Sequence, residues 1–427
     1  MLKQLISLLA IGVLLFFLYA IFFVSIAKSQ EGTLNKESGT SLAQLILREI
    51  ESGKKELANL NLSYSPKKIT YTQIIRRSDG VEFKGKTTDF AWKDIGLKLI
   101  NLDNDQTKIV KIRKSGSQLI NLQAQSGFII SVQRRPSGIS WNGLNTAFEV
   151  RNLKDNGRWV VILNRYPYRL KNGKREDYVY GPYASGIHLP ELNSAGMHYL
   201  KQKIFDSIAE LYSFSESRAD ALENELMQNS GSFGFDVVNS TYRLILIEQT
   251  DPFEFYEFVS GRLPLSPFER VNIIVAMNGG KAYSVTSSSA GAYGLMQFTN
   301  KSRRDRFGKL RMGTWDVIRS NYSWARLPAF NYGTRSHREA IKAAILLQDY
   351  NLKMLKRALG EGVGKDPALE YYLAAGYNGG IGPVIEAIKK SYKKNTNWRY
   401  DELPKLKKTS ESLDYLDKLD YLINTPQ

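Results

Sequence analysis

The hydrophobic positions of this chain change their period along its length. Between Lys3 and Lys28 lie 24 residues without a charge, dominated by Leu, Ile, Phe, Val and Ala. About 20 apolar residues span a bilayer core, whereas a cleavable signal has an apolar region of roughly 7–15. Ala27-Lys28-Ser29 is a poor cleavage site. Residues 1–28 are therefore expected to form an uncleaved transmembrane signal anchor, with Lys3 and Lys28 on opposite sides specifying its orientation weakly. Gln30–Thr40 is polar and reads as a linker. Leu42–Leu60 carries Leu42, Leu45, Ile46 and Ile50 at helical spacing, which predicts a membrane-proximal helix within residues 29–60.

From about Ile69 to Leu170 the runs become short and β-branched or aromatic. Ile69–Thr72, Ile109–Arg113, Phe128–Val132 and Trp159–Leu163 are separated by turn signals such as Ser78-Asp79-Gly80, Lys114-Ser115-Gly116 and Asp155-Asn156-Gly157. This predicts a β-rich module over residues 61–189. From Pro190 the pattern turns helical. Ala195–Met227 is long and amphipathic, and Val237–Val259 breaks and restarts at Asp251-Pro252. Together they read as a helical connector, 190–265. Ser266-Pro267 is a good helix start, and Phe268–Met277 is an apolar run stopped by Gly279 and Gly280. These open a last domain, 266–427.

The absence of cysteine excludes disulfides, thiolate metal sites and cysteine nucleophiles. His188, His198 and His337 are scattered without ligand spacing, so no metal site and no cofactor is expected. The net charge of +17 is unevenly spread. Residues 107–175 hold fourteen Lys/Arg against Glu149 and Asp155, a net +12. An anionic polymer or lipid headgroups would suit that stretch, and so would plainly solvated strand faces. It contains no nucleic-acid-binding motif, so nucleic acid is not an expected partner.

Two glycine-framed segments carry the candidate chemistry. The first is Ser288-Ser289-Ala290-Gly291-Ala292-Tyr293-Gly294-Leu295-Met296-Gln297, and the second is Ala374-Ala375-Gly376-Tyr377-Asn378-Gly379-Gly380. In this order they resemble the soluble lytic transglycosylase family, lysozyme-like enzymes that cut the glycan strands of bacterial peptidoglycan. His337–Leu355 resembles the helix between the two elements, and Thr409–Leu416 the closing Glu-Thr…Tyr-Val segment. The resemblance covers about residues 266–420. It implies a C-terminal lysozyme-like all-α domain; with the N-terminal transmembrane helix and the β-rich basic module read from the residues, the chain is expected to be α+β. A peptidoglycan substrate implies a bacterial protein, and with the single N-terminal span it is expected in the cytoplasmic membrane, with its bulk outside the cytoplasm.

By the same resemblance, Ser288, Gly294, Leu295, Met296 and Gln297 form one wall of a sugar-binding groove, and Tyr377 and Asn378 the other. The family's catalytic glutamate closes a helix about fifteen residues before the Gly-Leu-Met-Gln run, a context that any motif match must satisfy. Here that slot falls at Asn278-Gly279, and no acid lies between Arg270 and Asn300. Asn278 is expected to hydrogen-bond substrate in the acid's place. Glu269 lies about 13–14 Å along the helix from Asn278, too far to substitute. Glu248, Asp251, Asp349 and Glu370 are candidates for a displaced acid, and the sequence does not choose among them. Two functions follow: a lytic transglycosylase with a displaced acid, cleaving the MurNAc-GlcNAc β-1,4 bond to a 1,6-anhydro product, or an inactive glycan-binding or scaffolding component of a cell-envelope or secretion machine.

Overall fold

The computed structural model describes residues 40–76, 82–116, 118–121, 127–132, 146–171, 174–215, 236–288, 291–300, 303–304, 310–406 and 411–425. The expected transmembrane segment, 1–28, lies outside them. No described helix is long and apolar enough to cross a membrane. The chain divides into two units, residues 1–45 and 46–427. Of the first, only residues 40–45 are described, and Leu42–Leu45 begin helix α1 (Leu42–Ala58).

The β module is an antiparallel five-stranded sheet with two separate hairpins. Sheet order is β5 (Gln118–Asn121), β4 (Thr107–Ser115), β3 (Trp92–Asn101), β8 (Trp159–Lys171), β9 (Lys174–Tyr180). The hairpins are β1 (Lys68–Arg76) with β2 (Glu82–Phe90), and β6 (Phe128–Val132) with β7 (Phe148–Asn152). The four strands expected from the sequence fall in β1, β4, β6 and β8. The central strand, β3, gave no signal because it is buried on both faces and carries charges there. Lys98, 1% exposed, meets Glu49 and Glu56 of α1, while Leu97 and Leu99 face the core. Lys93 and Lys114 share the Asp89 carboxylate. Burial pushes the Lys93 ammonium down to about 8 despite that partner.

The same pairing changes the meaning of the basic stretch. Arg113, Lys114, Arg158 and Arg165 pair with Asp94, Asp89, Asp103 and Asp177, acids that lie outside residues 107–175. Four of the fourteen cations in that stretch are therefore paired within the module.

Helix α2 (Pro190–Ser215) starts earlier than expected, and residues 216–227 of the predicted helix lie outside the described residues. Asp236 caps α3 (Val237–Gln249) by accepting from Val238 N and Asn239 N. Asp251 and Ser266 cap α4 (Pro252–Val259) and α5 (Pro267–Asn278) in the same way. Helices α6 (Thr314–Asn321), α7 (His337–Leu359), α8 (Leu369–Gly379), α9 (Ile381–Lys394) and α10 (Glu411–Asn424) follow, with single helical turns at Phe330–Gly333 and Leu403–Leu406.

One expectation is corrected. The C-terminal part is not all-α: β10 (Ala292–Tyr293) pairs with β11 (Phe298–Thr299), and β12 (Arg303–Arg304) with β13 (Leu310–Arg311). Gly294, at φ +79°, turns the chain back between the first two and makes that hairpin. The helices of 190–265 share their core with the elements on either side. Leu244–Ile247 of α3 are buried in one core with Leu97, Val161 and Tyr180 of the sheet and Ile341, Leu373 and Leu416 of the later helices.

Candidate functional site

The turn between β10 and β11 is fixed by close approach. A Cβ at Gly294 would lie 1.9 Å from the Thr334 carbonyl oxygen, so only glycine fits there at a positive φ. Leu295 and Met296 are fully buried and serve as the turn's apolar root. What the turn offers to its neighbours is therefore its backbone. The Gly294 and Leu295 carbonyls accept from the Gln249 side-chain amide at 3.2 and 2.7 Å. The Met296 carbonyl accepts from the Tyr377 hydroxyl at 2.7 Å. Gln297, at φ +46°, donates its own amide back to the Gly294 carbonyl at 2.7 Å.

Tyr377 and Asn378 sit in the last turn of α8. The Tyr377 ring packs on Phe298 with centroids 5.7 Å apart. Asn378 Oδ1 accepts from the Ser412 hydroxyl at 3.0 Å, which ties α8 to α10. The structure thus brings Gly294, Leu295, Met296, Gln297, Tyr377 and Asn378 together through α3, α8 and α10. Ser288 is exposed at the foot of the same hairpin, bonded to Ala292 through its backbone and hydroxyl.

Asn278 has a different use. Its Oδ1 accepts from Gly181 N at 2.8 Å, and its Nδ2 donates to the Gly181 and Ile274 carbonyls, both at 2.9 Å. The amide fastens the end of α5 to the segment that follows β9. The loop after it is gripped on both sides. Tyr180 Oη accepts from Tyr283 N at 3.5 Å, and His337 Nε2–H donates to the Ala282 carbonyl at 2.6 Å. Burial holds His337 below the usual imidazole range, which keeps it neutral and suited to that donor role.

Three of the four candidate acids have structural work. Asp251 caps α4. Asp349 is buried, accepts from the Tyr322 hydroxyl at 2.6 Å and pairs with Lys353 at 2.9 Å. Glu370 takes both arms of the Arg243 guanidinium at 2.8 Å. Glu269 pairs with His188 at 2.5 Å.

Glu248 is the acid that meets the expected cleft. It lies in the last turn of α3, beside the phenols of Tyr377 from α8 and Tyr415 from α10. Burial first, and then the Glu248 charge, raise both phenols well above their ordinary value. They remain protonated at neutral pH. Gln249, the next residue, is the one bonded to the Gly294 turn.

No family model, curated protein or solved structure matches this chain. Among the described residues, no group of three or more His, Asp or Glu side chains is placed to hold a metal ion.

A signal for Glu248 was present in the sequence. Leu244-Ile245-Leu246-Ile247-Glu248 is an apolar helical run closed by a glutamate, followed by the stop at Asp251-Pro252. Spacing hid it: α4 and α5 stand between this helix end and the Gly294 turn.

Proposed function

We propose that this protein cleaves the glycan strands of bacterial peptidoglycan as a membrane-anchored lytic transglycosylase, with Glu248 as its single acid–base group. The seat of Glu248 next to Gln249, whose amide is bonded to the Gly294 and Leu295 carbonyls, and the reach of its charge to the phenols of Tyr377 and Tyr415 carry this reading. These are the elements that the sequence resemblance sets around the catalytic acid of a lysozyme-like domain. The uncharged segment between Lys3 and Lys28 supports anchorage in the cytoplasmic membrane, with the bulk of the chain on the wall side.

The chemistry needs one carboxyl group where most glycosidases need two. The Glu248 carboxyl gives its proton to the glycosidic oxygen as the bond from C1 of the muramic acid breaks. The C6 hydroxyl of the same sugar attacks C1, and the Glu248 carboxylate takes that hydroxyl's proton. One glycosidic bond is exchanged for an internal 1,6-anhydro bond, no water is consumed, and the carboxyl ends as it began. The buried walls of Leu295, Met296 and Phe298 keep water from the reacting centre. The phenols of Tyr377 and Tyr415 stay neutral, so that the carboxyl is the one group there to exchange a proton.

The test uses the purified full-length chain in detergent micelles with isolated peptidoglycan, and mass spectrometry for 1,6-anhydromuropeptides. Wild type is expected to form them. Glu248→Gln should lose about 10²–10⁴-fold in rate, the usual worth of general acid–base catalysis, and still pellet with the glycan. Anhydro products at the wild-type rate from Glu248→Gln would defeat the assignment. Wild type that pellets with glycan and yields no product would favour the scaffolding alternative.

A further inference from the structure

Glu248 and the Gly294 turn are parts of one cluster, yet α4, α5 and the loop after them lie between the two in the chain. No short covalent tether sets the distance from the acid to the turn. Two polar side chains hold it instead, one from each side of the corner that ends α3. From inside the corner, the Gln249 amide donates to the carbonyls of Gly294 and Leu295 at 3.2 and 2.7 Å. From α10, the Lys418 ammonium donates to the carbonyls of Ile247, at 3.3 Å, and Thr250. Those two carbonyls flank Glu248 and Gln249.

Lys418 is 4% exposed. The last carbonyls of a helix lack partners within it, and a cation there also suits the helix dipole. Even so, a lysine this deep is costly to desolvate, and an apolar side chain of its size would fill the space without that cost. Its charge reaches Asp251 as well, partly offsetting the burial that raises that carboxyl. Tyr415 lies three residues before Lys418, so the two share a face of α10. The contact that holds the corner therefore lies one helical turn from Tyr415, whose phenol the Glu248 charge reaches.

We infer that Gln249 and Lys418 are positioning residues for the acid, standing in for a short tether between Glu248 and the Gly294 turn; the inference rests on Glu248 being the acid. Neither side chain is assigned a contact with the reacting atoms. They act by fixing where the carboxyl stands relative to the groove, and a misplacement of about 1 Å can cost on the order of 10²-fold in rate.

The experiment compares full-length wild type with Gln249→Leu and Lys418→Met, both close in size to the residues replaced. Turnover is measured on soluble glycan strands, and backbone hydrogen exchange by mass spectrometry. Each variant is expected to lose at least about tenfold in kcat per folded molecule, with KM changed by less than about threefold. Exchange in 246–252 and 294–297 should quicken by about tenfold or more, while the centre of α7 keeps its protection. Folded variants with kcat within about twofold of wild type and unchanged local exchange would overturn the inference, as would losses that only track the folded fraction. If wild type shows no turnover, or Glu248→Gln keeps it, the functional reading fails by itself. Exchange then decides the clamp: faster exchange in both segments upholds it, and unchanged exchange overturns it.

Discussion

Gly294→Ala concentrates the demands of the site on one methyl group. At φ +79° an alanine meets a left-handed penalty of about 1–2 kcal/mol. Its Cβ would also stand 1.9 Å from the Thr334 carbonyl oxygen, so the two segments must part by more than about 1 Å to reach ordinary contact. Overpacking of that kind costs about 1–3 kcal/mol. The expected loss is thus about 2–5 kcal/mol. The movement also loosens the bonds from Gln249 and Tyr377, because both end on this turn. Trp315 offers a reporter: its ring lies against Gly333 and Phe298, and its indole N–H donates to the Pro328 carbonyl at 3.0 Å. Urea unfolding followed by tryptophan fluorescence should show an earlier midpoint, and anhydromuropeptide release should fall by about 10²-fold or more. A variant within about 0.5 kcal/mol of wild type in stability and within about twofold in rate would refute the close-approach argument, since surface substitutions alone stay in that range.

Other consequences are measurable in the same assays. Tyr377→Phe removes the donor to the Met296 carbonyl and should cost about 1–3 kcal/mol by urea unfolding, the usual range when a buried acceptor is left without its partner. Asn278→Asp removes the amide donor to the Gly181 and Ile274 carbonyls; a loss of about 1–3 kcal/mol in stability with turnover per folded molecule unchanged is expected, and lost turnover in a fully folded variant would return Asn278 to the groove. Lys93 sits at about 8 in the fold against 10.5 for a free lysine, so the unfolded chain binds its proton more tightly. Its contribution therefore opposes folding below pH 8 and fades as pH rises from 8 to 10.5. The stability of wild type minus that of Lys93→Met should rise by about 3 kcal/mol across that window, at 1.36 kcal/mol per unit; a flat difference would show that burial does not hold the ammonium down.

Local sequence determined the parts of this protein that depend on near neighbours. The helix starts at Ser266-Pro267 and Asp251-Pro252 and the four short β-branched strands each follow from backbone preferences within a few residues. The strand β3 was hidden because its charges, Lys93, Asp94 and Lys98, are satisfied only by Asp89, Arg113, Glu49 and Glu56, which come from other elements. In the basic stretch, the partners of Arg113, Lys114, Arg158 and Arg165 likewise lie elsewhere in the chain. At the site, the sequence named both glycine-framed walls and placed Asn278 where an acid was wanted. Tertiary structure gave Asn278 to Gly181 and bonded Gln249, the neighbour of Glu248, to the Gly294 turn. Counting residues from a motif works only while the intervening chain takes the shortest path, and here α4 and α5 lengthen it. Packing of α3 against α10, with Lys418 bonded to its last carbonyls and Gln249 bonded to the turn, decides where the end of α3 stands, because a side chain's neighbours in space are set by the core and not by its distance along the chain.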